Sequence, residues 1–294
     1  MADICVISDG KAGHRNQSLG LAEALQRQRP ALEIGERLAE RRGGALLQAI
    51  APSRRAASAP TLVIGAGHGT HAELLYWRRR GSRAVVLMRP SLPLRCFDLC
   101  IEPRHDGGSE GARRWLSTGP LNRVVPAAER RDLGLVLIGG PSPHFQWDGE
   151  ALLAQLAALC SDSRPRVLTT SRRTPPAFLA ALRAQALPGL EALAAEELDV
   201  DWLARTLPAA STCWVTPDSA SMVYEALTAG CAVGLFDLAA IPDSRVARGV
   251  QELVEQDLCT PFTAIAAGAE LPVPRSPLAE ADRMATRLLE LGWL

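Results

Sequence analysis

The sequence predicts an α/β protein made of two Rossmann-like halves, and three observations predict it. Short apolar runs that do not alternate polar and apolar residues recur along the chain, separated by stretches of helical spacing. That is the pattern of a parallel sheet covered on both faces. The pattern lapses over residues 119–132, which are polar and carry Pro120 and Pro126, and restarts at Leu133. Most runs end in a loop rich in glycine, proline or hydroxyls, where open α/β sheets bind ligands.

The elements follow in order. Residues 4–8 form a first strand ending in Asp9-Gly10-Lys11-Ala12-Gly13. Helical spacing starts near Asn16, a candidate N-cap, and runs through Leu19, Ala22 and Leu25. The run 61–64 ends in Gly65-Ala66-Gly67-His68-Gly69-Thr70 and leads into a helix reaching Trp77. Further strands cover 84–88, ending in Arg89-Pro90, and 97–101, ending in Glu102-Pro103-Arg104-His105-Asp106. After the connection, 133–138 is a strand ending in Gly139-Gly140-Pro141-Ser142, and Asp148 caps a helix bearing Leu152, Leu156 and Cys160. The run 166–170 ends in Ser171-Arg172-Arg173, and 213–216 ends in Pro217-Asp218-Ser219. A helix from Ser219 to Ala229 stops at Gly230, a natural position for a helix-ending glycine. The run 232–236 is a further strand. A last helix opens at Ser276-Pro277 and carries Leu278, Met284, Ala285, Leu288 and Leu289. The expected domains are 1–125, 126–275 and a returning helix, 276–294.

Composition narrows the class. The chain has 294 residues, 47% hydrophobic and 22% charged, with 32 basic and 32 acidic side chains and no net charge. A disordered chain, a collagen and a small disulfide scaffold are excluded. Neutrality argues against nucleic acid as a partner. No apolar run approaches the ~20 residues of a membrane span, and the first residues carry no basic leader, so a cytoplasmic protein is expected. Seven cysteines is an odd number. Most lie in apolar runs, and Cys96 and Cys100 have neither a second pair nor a ligand-spaced histidine, which points to reduced thiols and no metal site. Lys11 is the only lysine among the 32 basic residues. It stands in the first glycine loop, where a compact point charge suits an anion.

The candidate chemistry lies at the strand ends. All five histidines, His14, His68, His71, His105 and His144, fall in or just after such loops, and histidine is the usual base near neutral pH. The loop from Asp9 to His14 is either an anion loop followed by a helix N-terminus or a tight turn that needs glycine. It matches neither nucleotide-binding fingerprint. Ser171-Arg172-Arg173 suits a diphosphate through bidentate bonds, or is a solvated pair. From Asp218 to Glu225, hydroxyls at a helix start suit a phosphate, and Glu225, one turn beyond Ser221, suits a ribose diol. The alternative there is a capped helix with Asp218 as N-cap and Glu225 in solvent. Tyr76-Trp77-Arg78-Arg79-Arg80 sets aromatics beside arginines, as at an anionic membrane surface or at an amphipathic helix end.

Several of these blocks occur together in one family. They are Ser8 to His14 with Asn16-Gln17, residues 65–70, Arg89-Pro90-Ser91, Gly139 to Ser142 with His144, Phe145 and Trp147, residues 169–175, and Asp218 to Met222. Together they resemble the elongated-mitochondria fission protein family, large in bacteria and described both as a predicted nucleoside-diphosphate-sugar epimerase and as a glycosyltransferase. The second half also resembles GT-B glycosyltransferases, notably the transferase that completes lipid II. The resemblance implies a GT-B-like fold, with two Rossmann-like domains facing each other across a cleft and the last helix returning to the first domain.

It implies a metal-independent glycosyltransferase with no cofactor, peripheral on the inner membrane, using a nucleotide-sugar donor and a cell-envelope, glycolipid or polysaccharide acceptor. The base would be His14, His68 or Asp9. Gly139, Gly140, Ser142, Ser171, Arg172, Asp218, Ser219, Ser221, Met222 and Glu225 would hold the donor. Gly10, Lys11, Gly13, Gly67 and Arg89 would form an acceptor or phosphate loop. Two alternatives stay open: an epimerase using carboxylates such as Glu73, Glu102 and Asp106, and a non-catalytic membrane-associated interaction protein.

Overall fold

The computed structural model describes residues 2–40, 59–126, 132–199 and 201–294; the connection expected at 119–132 therefore falls partly outside the described residues. The chain forms β1 (Ile4–Ser8), α1 (Ala12–Gln28), β2 (Ile34–Leu38), β3 (Leu62–Ala66), α2 (His71–Arg79), β4 (Arg83–Leu87), β5 (Leu99–Pro103) and β6 (Arg114–Ser117). Next come β7 (Leu133–Ile138), α3 (Gly149–Leu159), β8 (Arg166–Thr170), α4 (Pro176–Gln185), β9 (Leu190–Leu193), α5 (Trp202–Thr206), β10 (Ala210–Val215) and α6 (Ala220–Ala229). The chain continues through β11 (Ala232–Leu235), α7 (Arg245–Glu255), β12 (Cys259–Pro261), α8 (Phe262–Ala266) and α9 (Glu280–Glu290). It divides into unit 1, Met1–Arg123 with Ala279–Leu294, and unit 2, Val124–Leu278.

Each unit is built on a six-stranded sheet. The strand orders are β2-β1-β3-β4-β5-β6 and β12-β11-β10-β7-β8-β9, and neighbouring strands in both pair in parallel. Both orders reverse direction beside the first strand of the unit, the place where a doubly wound sheet opens a crevice at its carboxyl edge.

Burial explains the non-alternating runs. In β7, Leu135 and Leu137 face a core made with Val223, Leu227 and Val250, while Val136 and Ile138 face one made with Leu152, Leu156 and Phe178. Likewise Ile4 and Val6 of β1 pack under α1, through Leu21 and Leu25, whereas Cys5 and Ile7 pack with Leu74 and Trp77 of α2. The first of these cores in unit 1 is completed by Met284, Ala285 and Leu288 of α9.

Two helix starts differ from the sequence reading. Helix α1 begins at Ala12, with Lys11 as N-cap, instead of at Asn16. The Asp9 carboxylate takes the Lys11 amide at 3.2 Å in an Asx-turn that launches the helix early, so Gly13 and His14 lie in its first turn. Helix α9 begins at Glu280, not at Pro277. Leu278 is held by unit 2, its amide bonded to the Leu227 carbonyl at 3.1 Å and its carbonyl accepting from Thr228 Oγ1 at 3.1 Å. Asp148 caps α3, accepting from the Ala151 amide, and α6 ends at Gly230 in the left-handed conformation, both as expected. All seven cysteines are free.

Candidate functional site

In unit 1 the loops after β1 and β3 meet around one pair of side chains. His14 Nδ1 lies 2.9 Å from Asp9 Oδ2, with the two side chains only 17% and 7% exposed. Burial alone would raise the Asp9 carboxyl. The bonds from His14 and the Lys11 amide, with the His14 and Lys11 charges, outweigh it and hold the carboxyl below its usual range. An ionised Asp9 can only accept, so in the neutral imidazole Nδ1 carries the proton and Nε2 the lone pair.

The Gly65-Ala66-Gly67-His68-Gly69 loop is shaped around this pair. Gly67 has φ +77°, and a Cβ there would overlap the His14 ring; one on Gly69 would press on Asp9. Beside it, Met88 takes a left-handed φ of 68° at the end of β4, where its Sδ accepts from Gln17 Nε2 at 3.7 Å. Such backbone in a non-glycine residue is uncommon and tends to cluster at functional sites.

Of the remaining unit 1 candidates, Lys11 touches the pair through its amide. Gly10, Lys11 and Gly13 are exposed around the start of α1. His68 is exposed, and Arg89 is exposed with Nη1 on the Asp106 carbonyl at 3.0 Å. His71 is buried, and burial first, then the charge of His68, push it down to about 4. Glu73 is buried, with Oε1 accepting from the Trp77 indole at 3.0 Å. Glu102 is fully buried beside Arg114.

Unit 2 knots three strand ends together. The Gly139 amide donates to Thr216 Oγ1 at 2.7 Å, and the Gly140 amide donates to Asp218 Oδ2 at 2.9 Å. Arg173 Nη2 reaches the same Oδ2 at 2.8 Å, while Nη1 donates to the carbonyls of Gly140 and Pro141 at 2.9 and 3.1 Å. Ser171 Oγ donates to the Gly139 carbonyl at 2.9 Å, and Thr174 Oγ1 donates to the same oxygen. Both glycines are required by close approach: a Cβ on Gly139 would overlap the Asp218 carboxylate, and one on Gly140 the Arg173 carbonyl.

Asp218 is thus the buried anchor of the knot, 1% exposed at its side chain, and not the N-cap of α6. That position belongs to Ser219, which makes no side-chain cap bond. Arg173, which the sequence reading set beside Arg172 for a diphosphate, is spent with Thr174 on tying the loops. Ser219, Ser221, Met222 and Glu225 run from the N-cap of α6 into its second turn, and Arg172 lies in the loop after β8; Arg172 and Ser221 are exposed.

A second loop pair closes one side. Ser142 Oγ accepts from the amides of His144 and Phe145, and His144 Nδ1 sits 3.1 Å from Ser244 Oγ, the cap of α7. Beneath it lies a cavity of about 410 Å³, walled by Phe145, Pro217, Phe236 and Ile241, with Asp237, Asp243 and Arg248 as charged members. An anion would find the α6 N-terminus; a hydroxyl-rich group would find the cavity's two carboxylates. Among the described residues, no three His, Cys, Asp or Glu side chains are grouped as metal ligands.

This architecture is that of GT-B glycosyltransferases and UDP-GlcNAc 2-epimerases. UDP-GlcNAc 2-epimerase from Methanocaldococcus jannaschii aligns at TM-score 0.56 and 10% identity, over 98% of this chain and 99% of that one. The E. coli ADP-heptose lipopolysaccharide heptosyltransferase II aligns at TM-score 0.52 and 14% identity, over 98% of each chain. No curated protein matches the sequence. The chain belongs to the Mitochondrial fission ELM1 family, whose model matches residues 12–291.

Proposed function

We propose that the protein is a glycosyltransferase that moves a sugar from a nucleotide-sugar donor to an acceptor hydroxyl of glycolipid or cell-envelope type. The observation that carries this reading is the Asp9–His14 pair: the imidazole Nδ1 stands 2.9 Å from a carboxylate oxygen, an arrangement that in the neutral ring directs the lone pair to Nε2. In the reaction the acceptor O–H proton passes to His14 Nε2. The oxygen forms a bond to the anomeric carbon, and the bond from that carbon to the nucleoside diphosphate breaks, its electron pair leaving with the diphosphate. Asp9 stabilises the imidazolium that forms.

Unit 2 would bind the donor. Arg172 and the first turn of α6 would meet the diphosphate, Glu225 the ribose, and the cavity beside Asp237 the sugar. No cofactor or metal takes part in this scheme. An epimerase on the same fold needs carboxylates beside the sugar, and two of the three candidates, Glu73 and Glu102, are buried, Glu73 against an indole. The decisive experiment is nucleotide-sugar binding and transfer by His14→Ala. Binding should survive and turnover should fall about 10²–10⁴-fold. Unchanged turnover removes the pair from the mechanism, and absence of any nucleotide-sugar binding by the unaltered protein favours a non-catalytic role.

A further inference from the structure

The cavity beside Asp237 is built more narrowly than a site for any sugar. Asp237 follows β11, and one side chain clamps its main chain from both directions. The Gln155 carboxamide, on α3, accepts from the Asp237 amide at 2.8 Å and donates to the Asp237 carbonyl at 3.0 Å. Asp237 Oδ2 takes the Thr263 amide at 2.9 Å. Three bonds thus fix the carboxylate, while Oδ1 has no hydrogen-bond partner among the described residues. A held acceptor in a cavity wall orients a ligand hydroxyl.

Polar and apolar walls lie at different depths. Asp237, Asp243 and Arg248 stand where β11 ends and α7 begins. The side chains of Asp243 and Arg248 make no hydrogen bond or ion pair with a described residue, so both are available to a ligand at the mouth. Val250 and Val254 follow on the next two turns of α7 and share the inner part with Leu235 and Pro261. Gln251 is the polar side chain at that depth, and its Nε2 is engaged by Glu255 Oε1 at 3.3 Å. Ser244 Oγ is likewise engaged, by the Ala247 amide and His144.

Size and polarity together select the ligand. At about 410 Å³ the cavity lies within the ~300–1,000 Å³ of small-molecule pockets and exceeds what a bare hexose ring fills. A hexose carries hydroxyls all round its ring, and each one turned toward Val250, Val254, Leu235 and Pro261 would lose its water without gaining a partner. The group that fits has hydroxyls on one side and an apolar projection on the other.

We propose that the donor's sugar carries an apolar substituent, either an acylamino group or the methyl of a deoxy sugar, seated against Val250, Val254, Leu235 and Pro261. A ring hydroxyl donates to Asp237 Oδ1 at the mouth. This inference rests on the donor reading of unit 2. The two substituents share one chemistry, a methyl group at the edge of a hydroxylated ring.

The test follows the Ile241 methyl resonances of the full chain by NMR while methyl glucoside, methyl N-acetylglucosaminide and methyl 6-deoxyglucoside are added separately. A substituted sugar should saturate the shifts at a concentration at least about tenfold below methyl glucoside, because one apolar carbon in an apolar pocket discriminates ~10–200-fold. Preference for the N-acetyl sugar identifies the acylamino group, and preference for the 6-deoxy sugar identifies the methyl. Val254→Phe should fill the inner part and abolish the preference. Val254→Thr, which keeps the shape and adds a hydroxyl, should reduce it and serves as the second variant should the first melt early. UDP, ADP, GDP and dTDP are titrated in the same way, with the Gly140 amide as readout. Nucleotide binding without any sugar preference overturns this inference and leaves the donor reading standing. Sugar preference without nucleotide binding overturns the donor reading and leaves the cavity a site for substituted sugars. Equal affinity for the three glycosides, no shift with any of them, or a preference untouched by both variants overturns the proposal.

Discussion

Gly67 and Gly13 look alike in the sequence and do opposite work. Gly67 has φ +77° with the His14 ring against its α-carbon, whereas nothing lies within 4 Å of a Cβ built on Gly13. Gly67→Ala should cost about 1–2 kcal/mol for the left-handed backbone and about 1–3 kcal/mol for the displaced ring. Gly13→Ala should gain up to about 1 kcal/mol, since Gly13 stands in a helical turn. Urea midpoints of the two variants check both signs. His71 gives a prediction in pH. Folded, it resists protonation until about pH 4; unfolded, it takes its proton near the ordinary 6.5. Acid between those values protonates only the unfolded state, so stability should fall by roughly 3 kcal/mol as the pH drops from 6.5 to 4. His71→Gln should flatten that limb of the stability profile. Residue types were legible at this scale, and contacts were not. The sequence marks Asp9, His14 and Gly67, but no spacing tells that Arg173, rather than the adjacent Arg172, turns back to Asp218.

At the scale of elements, the strands the sequence reading did not recognise are β2, β6, β9 and β12, the edges of both sheets. An inner strand is covered on both faces and flanked on both sides, so it reads as an apolar run. An edge strand such as Ile34–Leu38 carries Glu36 and Arg37 toward solvent and loses that signature. The inner strands, and with them the loops at their carboxyl ends, were legible because burial leaves them little choice of residue. Helix starts were less legible, because Asp9 and Leu278 decide them through bonds that no periodicity records. Helix α9 supplies a test of how an element supports its sheet. Met284 is fully buried against α1 and β1 neighbours, and Met284→Ala should cost about 2–5 kcal/mol. Hydrogen exchange should quicken in β1 and β3 while β7 and β10 keep their protection.

At the scale of the whole molecule, the two units have separate cores, and unit 1 is discontinuous: Met1–Arg123 is completed by Ala279–Leu294. No helix among the described residues is long and apolar enough to cross a membrane. A chain cut after Leu278 should therefore keep a protease-resistant unit 2 and lose resistance in unit 1, which limited proteolysis and mass mapping would read directly. The same discontinuity bears on biosynthesis. Helix α9 leaves the ribosome only after all of Val124–Leu278 has been made. At the ~5–20 residues per second of translation, the first unit waits on the order of ten seconds for its last piece. During that interval the groove along Leu21 and Leu25 that α9 will cover stands open to water. The second unit, though later in the message, has its whole sequence first, so the nascent chain matures from its middle outward and is most exposed to chaperones at its beginning.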